Sequence, residues 1–317
     1  MVRMHEVDRQ HLPVLCDEVV RLLACQSGAR CVDGTLGGGG YAEAFLEASA
    51  PEGEVLGLDW DEQAIKRCAE RLGRFGERVL LERASYAELP EVLERLGWGQ
   101  VEGVALDLGV SSYHLDDPER GFSFLRDGPL DMRMDRERPV TAADLVNELP
   151  ERDLADLIYK FGEERWSRRI ARAIVNHRKC ALFSTTGELA ELVASVVPKS
   201  PDSRRLHPAT RTFQALRVAV NGELEALRAF LDGALSCLKP GGRLCIVSFH
   251  SLEDRMVKAT FREWTRSCRC PKNAPICSCG GVPFALSLTK KAIRPTPEEL
   301  ALNPRSGSAK LRAVQKI

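Results

Sequence analysis

Aromatic residues are scarce: 4 Trp, 4 Tyr and 11 Phe make up 6% of 317 residues. With so few rings, most of them needed in a core, nucleobase capture by stacking alone is a weak reading. No run of about 18 apolar residues occurs, so no membrane span and no membrane partner are expected. The stretch from Met1 to His11 is polar and lacks the apolar segment of a secretory signal. The chain is therefore expected in the cytoplasm. Net charge is missing too, with 45 basic against 45 acidic residues, but the balance hides separated patches. Ala42 to Ala64 holds seven acids and no Lys or Arg, whereas Lys160 to Lys179 and Lys290 to Ile317 each hold seven bases against two acids. Separated basic patches on a neutral protein suit either a polyanion or ordinary solvated helix faces.

Strand-like runs alternate with helical periodicity through the first third of the chain. Ala29 to Asp33, Glu54 to Asp59, Arg78 to Glu82 and Gly103 to Asp107 are short apolar runs, and three of them close on an aspartate. Helical spacing fills the intervals, as at Ala64, Ile65, Cys68, Ala69 and Leu72. The alternation predicts an α/β fold with a parallel sheet covered on both faces. It stops after Leu115, where a polar loop leads into helices over Asp153–Phe161, Glu163–His177 and Gly187–Val197. Thr141 with Asp144 and Thr185 with Glu188 resemble helix caps. A long helix is expected from Ala209 to Leu238, then a fifth strand at Arg243–Phe249 and a terminal hairpin from Phe284–Lys290 and Lys310–Lys316. The simplest organisation is one α/β domain, residues 1–115 with 209–317, interrupted by an all-helical insertion at 116–208.

Gly34-Thr35-Leu36-Gly37-Gly38-Gly39-Gly40 follows the first strand and precedes a helix. Such a loop lets backbone N–H groups approach a ligand, and the helix start favours negative groups. Asp59, ending the second strand, is placed to accept ribose hydroxyls. The loop is neither GxGxxG nor a P-loop. Acids at Asp33, Asp59 and Asp107 instead suit S-adenosylmethionine, whose sulfonium and ammonium are cationic. The fold expected is thus a Rossmann-like S-adenosylmethionine-dependent methyltransferase sheet with an inserted helical domain.

Longer motifs point the same way. His11-Leu12-Pro13-Val14-Leu15, Val32-Asp33-Gly34-Thr35-Leu36-Gly37, Asp107-Leu108-Gly109-Val110-Ser111-Ser112 and Arg120-Gly121-Phe122-Ser123-Phe124 occur in that order. Gly128-Pro129-Leu130-Asp131-Met132-Arg133-Met134, Gly162-Glu163-Glu164-Arg165 and the run from His207 to Arg217 follow. Ser248-Phe249-His250-Ser251-Leu252-Glu253-Asp254-Arg255 and Asn303-Pro304-Arg305-Ser306 complete the set. Over essentially its whole length the chain resembles the bacterial 16S ribosomal RNA cytosine-N4 methyltransferases. The resemblance implies methylation of the exocyclic N4 of one cytosine near the decoding centre, with 16S rRNA of the small ribosomal subunit as partner. By motif position it places cofactor contacts on Gly39, Gly40, Tyr41, Asp59, Tyr86, Asp107 and His114. The family usually has His where this chain has Tyr41 and Gln where it has His114, so the backbone carries the expected contact at both.

The chemistry singles out two further roles. A cytosine amine is a poor nucleophile, and an acceptor for its N–H groups stabilises the charge that develops during transfer. Asp107 is the first candidate for contact with that amine or with the sulfonium. His250, just past the fifth strand, is a candidate proton carrier or a hydrogen-bond partner of Glu253. Arg165, Arg168, Arg169 and Arg172 fall on one face of a predicted helix, and Arg204, Arg205 and Arg211 lie in an acid-free stretch. Both clusters suit phosphates of folded RNA. Of 11 cysteines, Cys268, Cys270, Cys277 and Cys279 form a CxC-x6-CxC set. Such a set could close a structural zinc site or stay as reduced thiols.

Overall fold

The computed structural model describes residues 13–198, 207–268, 270, 276, 278 and 280–317. In chain order α1 (Cys16–Leu23) leads to β1 (Arg30–Asp33), α2 (Gly40–Ala48), β2 (Glu54–Asp59) and α3 (Glu62–Leu72). Next come β3 (Val79–Arg83), α4 (Leu89–Arg95) and β4 (Val101–Asp107). A helical stretch follows: α5 (Ser112–Asp116), α6 (Ala142–Glu148), α7 (Glu151–Gly162), α8 (Ser167–His177), α9 (Thr186–Val196) and α10 (Thr210–Asn221). The chain ends with α11 (Glu223–Cys237), β5 (Leu238–Ser248), α12 (Ser251–Trp264), β6 (Ala285–Ser287), α13 (Pro297–Leu302) and β7 (Lys310–Lys316).

The strands form one sheet of order β3-β2-β1-β4-β5-β7-β6. Strands β1 to β5 pair in parallel, and β7 runs antiparallel between β5 and β6, as the expected terminal hairpin requires. The parallel strands are apolar on both faces because each face is covered. Along β1 the period of two sends Val32 to one core with Leu56, Leu106, Ile246, Leu89, Phe230 and Phe261. Cys31 goes to the opposite core with Val55, Ala105, Cys245, Val19, Phe45 and Leu72. Fully burying a side chain such as Phe45 contributes about 1.5–3 kcal/mol. The chain order reverses at β1, which lies between β2 and β4, and a ligand crevice is expected outside such a switch point.

The chain divides into two compact units, one running to Gly109 and resuming over Leu224–Ile317, the other Val110–Glu223. The breaks therefore fall at 109/110 and 223/224 rather than at 115/116 and 208/209. The long helix expected from Ala209 to Leu238 is two helices. Gly222 takes a left-handed φ of 63° and ends α10. Phe213, Leu216 and Val220 of α10 belong to the core of the inserted unit, with Leu154, Ile158, Ile170, Ile174, Leu189 and Val193. The capping boxes of Thr141 with Asp144 and Thr185 with Glu188 are both formed.

Candidate active site

The site begins with the carboxylates at the ends of β1, β2 and β4. Asp33 aligns with Gly57 and Ala105, Asp59 with Arg83, and Asp107 with Val247. Asp33 is buried and folds the glycine loop around itself. Its Oδ1 accepts from the Thr35 N–H at 3.3 Å and its Oδ2 from the Ala42 N–H at 3.1 Å. Burial raises its pKa to about 7 despite those two bonds, and the nearby Asp59 charge adds to the rise. Asp59 accepts from the Gly37 N–H and the Asp61 N–H, both at 2.8 Å. A carboxylate oxygen can accept more than one hydrogen bond, so holding the loop and receiving a ribose are compatible.

Gly39 adopts φ 77°, and a Cβ there would meet Cys68 Sγ at 3.0 Å. At Gly40 a Cβ would press on Pro13 Cγ at 2.7 Å. Past this close approach α2 opens with the N–H groups of Gly40 and Tyr41, which have no helical carbonyl ahead of them. They can receive a carboxylate. Tyr41 itself is buried; its ring stacks on Phe45 and its hydroxyl donates to Val14 O. The side chain thus ties the segment before α1 to α2, and only its backbone faces a ligand role. Glu299 of α13 accepts from the Leu15 N–H at 2.7 Å and holds a leucine at φ 53°. Tyr86 is buried at the start of the turn after β3, with its ring stacked on Trp60 at 6.1 Å and 15°. Trp60 directly follows Asp59, and the sequence reading missed it. An aromatic immediately after the strand-end acid was the available signal.

Asp107 is the electrostatic centre. Its N–H donates to Thr35 Oγ1 at 2.6 Å, which ties the end of β4 to the glycine loop. Asp107 is half-buried, but its Oδ1 is buried and has no hydrogen-bond partner among the described residues. Burial pushes its pKa well above the usual carboxylate range, and the charges of Asp33, Glu253 and Glu299 push it further. An unpartnered buried acceptor surrounded by acids is complementary to a cation or to N–H donors. These residues fit S-adenosylmethionine: Asp59 for the ribose, Gly39 to Tyr41 for the amino-acid end, and the acidic surroundings of Asp107 for the sulfonium.

His250 caps α12. Its Nδ1 accepts from the Glu253 N–H at 3.4 Å and its Nε2 lies 3.1 Å from Glu253 Oε1, with the two side chains 8% and 3% exposed. Glu253 Oε2 also accepts from the Phe249 and His250 N–H groups. Nδ1 thus serves the helix's own first turn, while the buried Nε2 makes no hydrogen bond among the described residues. His114 lies in the inserted unit, buried with its ring 5.0 Å from that of Phe122.

In the inserted unit Arg168, Arg169 and Arg172 are exposed along α8. Arg165 is not on that helix: α8 starts at Ser167, after a turn in which Glu163 takes φ 50° and Glu164 accepts from the Trp166 N–H. Its guanidinium lies over the Trp166 ring at 5.3 Å instead. Arg172 reaches Glu151 at 3.4 Å. Arg211 donates to Glu163 O, whereas Arg217 forms a two-pronged ion pair with Glu223, both bonds 2.8 Å. Arg204 and Arg205 lie outside the described residues, as do Cys277 and Cys279. Cys268 is exposed, and half-buried Cys270 accepts from the Ser278 N–H at 3.3 Å.

The sheet order with its antiparallel β7, the glycine loop after β1, and the acids ending β2 and β4 define a Rossmann-like S-adenosylmethionine-dependent methyltransferase. The chain belongs to the MraW methylase family, whose model matches residues 8–317. It is 62% identical over 307 residues to the ribosomal RNA small subunit methyltransferase H of Syntrophobacter fumaroxidans, covering 97% of this chain and 96% of the relative. The protein of that name from Symbiobacterium thermophilum is 50% identical with the same coverage. Among solved structures, an rRNA methylase from Streptococcus thermophilus aligns with TM-score 0.39 and 13% identity, covering 95% of this chain and 93% of that one. No helix among the described residues is long and apolar enough to cross a membrane.

Proposed function

We propose that this protein transfers a methyl group from S-adenosylmethionine to the exocyclic N4 of one cytosine in 16S rRNA, near the decoding centre of the small subunit. The relatives' names support ribosomal RNA as substrate. The observation that carries an amine target is the buried, unpartnered Oδ1 of Asp107 at the end of β4. The bound cofactor supplies an electrophilic methyl on a positively charged sulfur. Asp107 accepts an N–H of the amine, which localises the nitrogen lone pair for attack and stabilises the positive charge that develops. Thr35 fixes Asp107 through its backbone N–H, so the acceptor does not have to reorganise. Once the nitrogen is cationic, Asp107 can also take its surplus proton, because its raised pKa makes protonation easy. Arg168, Arg169 and Arg172 are assigned to phosphates.

The test is methylation of small subunits followed by mass-spectrometric mapping of the modified nucleotide, with wild type and Asp107→Asn. N4-methylcytosine at one position is expected from wild type. The variant should lose on the order of 100-fold or more in kcat, the scale of removing one transition-state charge partner. Methylation at a ring carbon, or full activity of the folded variant, overturns the reading.

A further inference from the structure

Two thiols that play no part in the methyl-transfer site face each other at the opposite end of β1. Cys25 follows α1 and is half-buried; Cys31 lies in β1 and is 1% exposed. Their Sγ atoms are 3.0 Å apart. We propose that Cys25 and Cys31 are a covalent modification site, a dithiol that a hydroperoxide closes to an intramolecular disulfide. Bond formation requires the sulfurs to approach to about 2.05 Å, a movement of roughly 1 Å. The surroundings allow it. Gly103 of β4 lies opposite Cys31, and a Cβ there would stand 3.4 Å from Cys31 Sγ, so the glycine leaves space for that side chain. The turn between the cysteines includes Gly28 at φ 78°, where a Cβ would meet nothing within 4 Å.

The two positions divide the chemistry. Cys25 is the one a peroxide can reach, while the buried Cys31 is reached through Cys25. The hydrogen bond between the two sulfurs lowers the Cys25 pKa and raises that of Cys31, which favours the thiolate at Cys25. Four other half-buried or buried thiols go the opposite way: Cys16 and Cys68 are pushed up to about 12 by burial and neighbouring acids, and Cys237 and Cys245 are raised by burial. The Cys25 thiolate attacks one peroxide oxygen, the O–O bond breaks, and hydroxide or alkoxide leaves; Cys25 becomes a sulfenic acid. Cys31 sulfur then attacks Cys25 sulfur, the S–O bond breaks, and hydroxide departs with the Cys31 proton as water. Two electrons pass from the sulfur pair to the peroxide. The bond ties α1 to β1, the strand that runs into Asp33.

The test treats the full-length folded protein with hydrogen peroxide, blocks remaining thiols with N-ethylmaleimide, and digests with trypsin without reductant. Trypsin cuts after Arg30, between the two cysteines, so a Cys25–Cys31 bond appears as peptide 22–30 joined to the peptide that begins at Cys31. That joined pair, missing two hydrogens and separated by dithiothreitol, is the expected result. In Cys31→Ser, dimedone should label Cys25 as a sulfenic acid. The proposal fails if both peptides return separately with maleimide on each cysteine. It also fails if Cys25 is found joined to the exposed Cys180 or Cys268 instead, or if the bond forms only after denaturation.

Discussion

A buried aspartate whose pKa is raised to about 7 leaves a trace in stability. The native pKa of Asp33 is about 7, whereas the unfolded group titrates at its ordinary value of 3.8. Between those values the native state holds a proton that the unfolded chain has released. Stability without cofactor therefore falls as pH rises through this window, by at most roughly 4 kcal/mol, and the loss is complete above pH 7. Asp107, raised by the same cause, works in the same direction. Urea unfolding at pH 5 and pH 8 should show wild type losing more stability than Asp33→Asn, whose side chain does not titrate. Equal losses would mean that Asp33 is already charged at pH 5. Cofactor should oppose the trend, because a cation beside these acids favours their ionised forms.

At the scale of single elements, α12 and α8 separate structure from function. His250 caps α12 through Nδ1, whereas its buried Nε2 lies near Glu253 Oε1 without forming a hydrogen bond among the described residues. His250→Ala should therefore cost about 1 kcal/mol of stability, the ordinary effect of losing a cap, and leave kcat within a few-fold. A loss of kcat beyond tenfold in the folded variant would restore His250 as a proton carrier. Along α8, replacing Arg168, Arg169 and Arg172 with Gln should weaken RNA binding and reduce its salt slope by about one for each phosphate left without its arginine. Cofactor affinity should stay constant. An unchanged salt slope would make the stripe an ordinary solvated face. These elements also show what the sequence can and cannot disclose. Strands β1 to β4 were legible because each is a short apolar run and three end in an acid. The caps at Thr141 and Thr185 were legible because both partners lie within one turn. The break between α10 and α11 was not, since helical spacing continues across Gly222 and only the φ of 63° and the packing of α10 into the insertion's core reveal it. Nor was the late start of α8, which depends on a left-handed Glu163 that no residue preference announces. In the site, Gly39, Asp59 and Asp107 could be found from position alone. The Thr35 bond to Asp107 spans 72 residues, and the orphaned Oδ1 exists only in three dimensions.

For the molecule as a whole, few rings are available on the surface for reading bases. Of the 19 aromatics, obtained as 4 Trp, 4 Tyr and 11 Phe, only Tyr159 at 64% and Phe284 at 55% are strongly exposed. The rest are at least half-buried, many in the three cores. Sequence-specific capture of a single strand usually needs several exposed stacking platforms, and these are lacking. What the surface does offer is charge: Arg168 and Arg169 stand exposed on α8 with no carboxylate partner among the described residues. Such groups read the spacing of phosphates in a folded backbone rather than base identity. A choice of one cytosine must then come from the geometry that presents it, and the energy to unstack that base from extended contacts around it. The proposed ribosomal RNA methylation should accordingly prefer a small subunit, assembled or partly assembled, over a short RNA. Methyl transfer measured on isolated small subunits, naked full-length 16S rRNA and an oligonucleotide containing the target should give kcat/KM lower on the oligonucleotide by about tenfold or more. Raising the salt should erode subunit binding more steeply than oligonucleotide binding, because the subunit engages more phosphates and so releases more counterions. Equal kcat/KM on subunit and oligonucleotide would show that local sequence suffices, and the exposed arginines would then need another role.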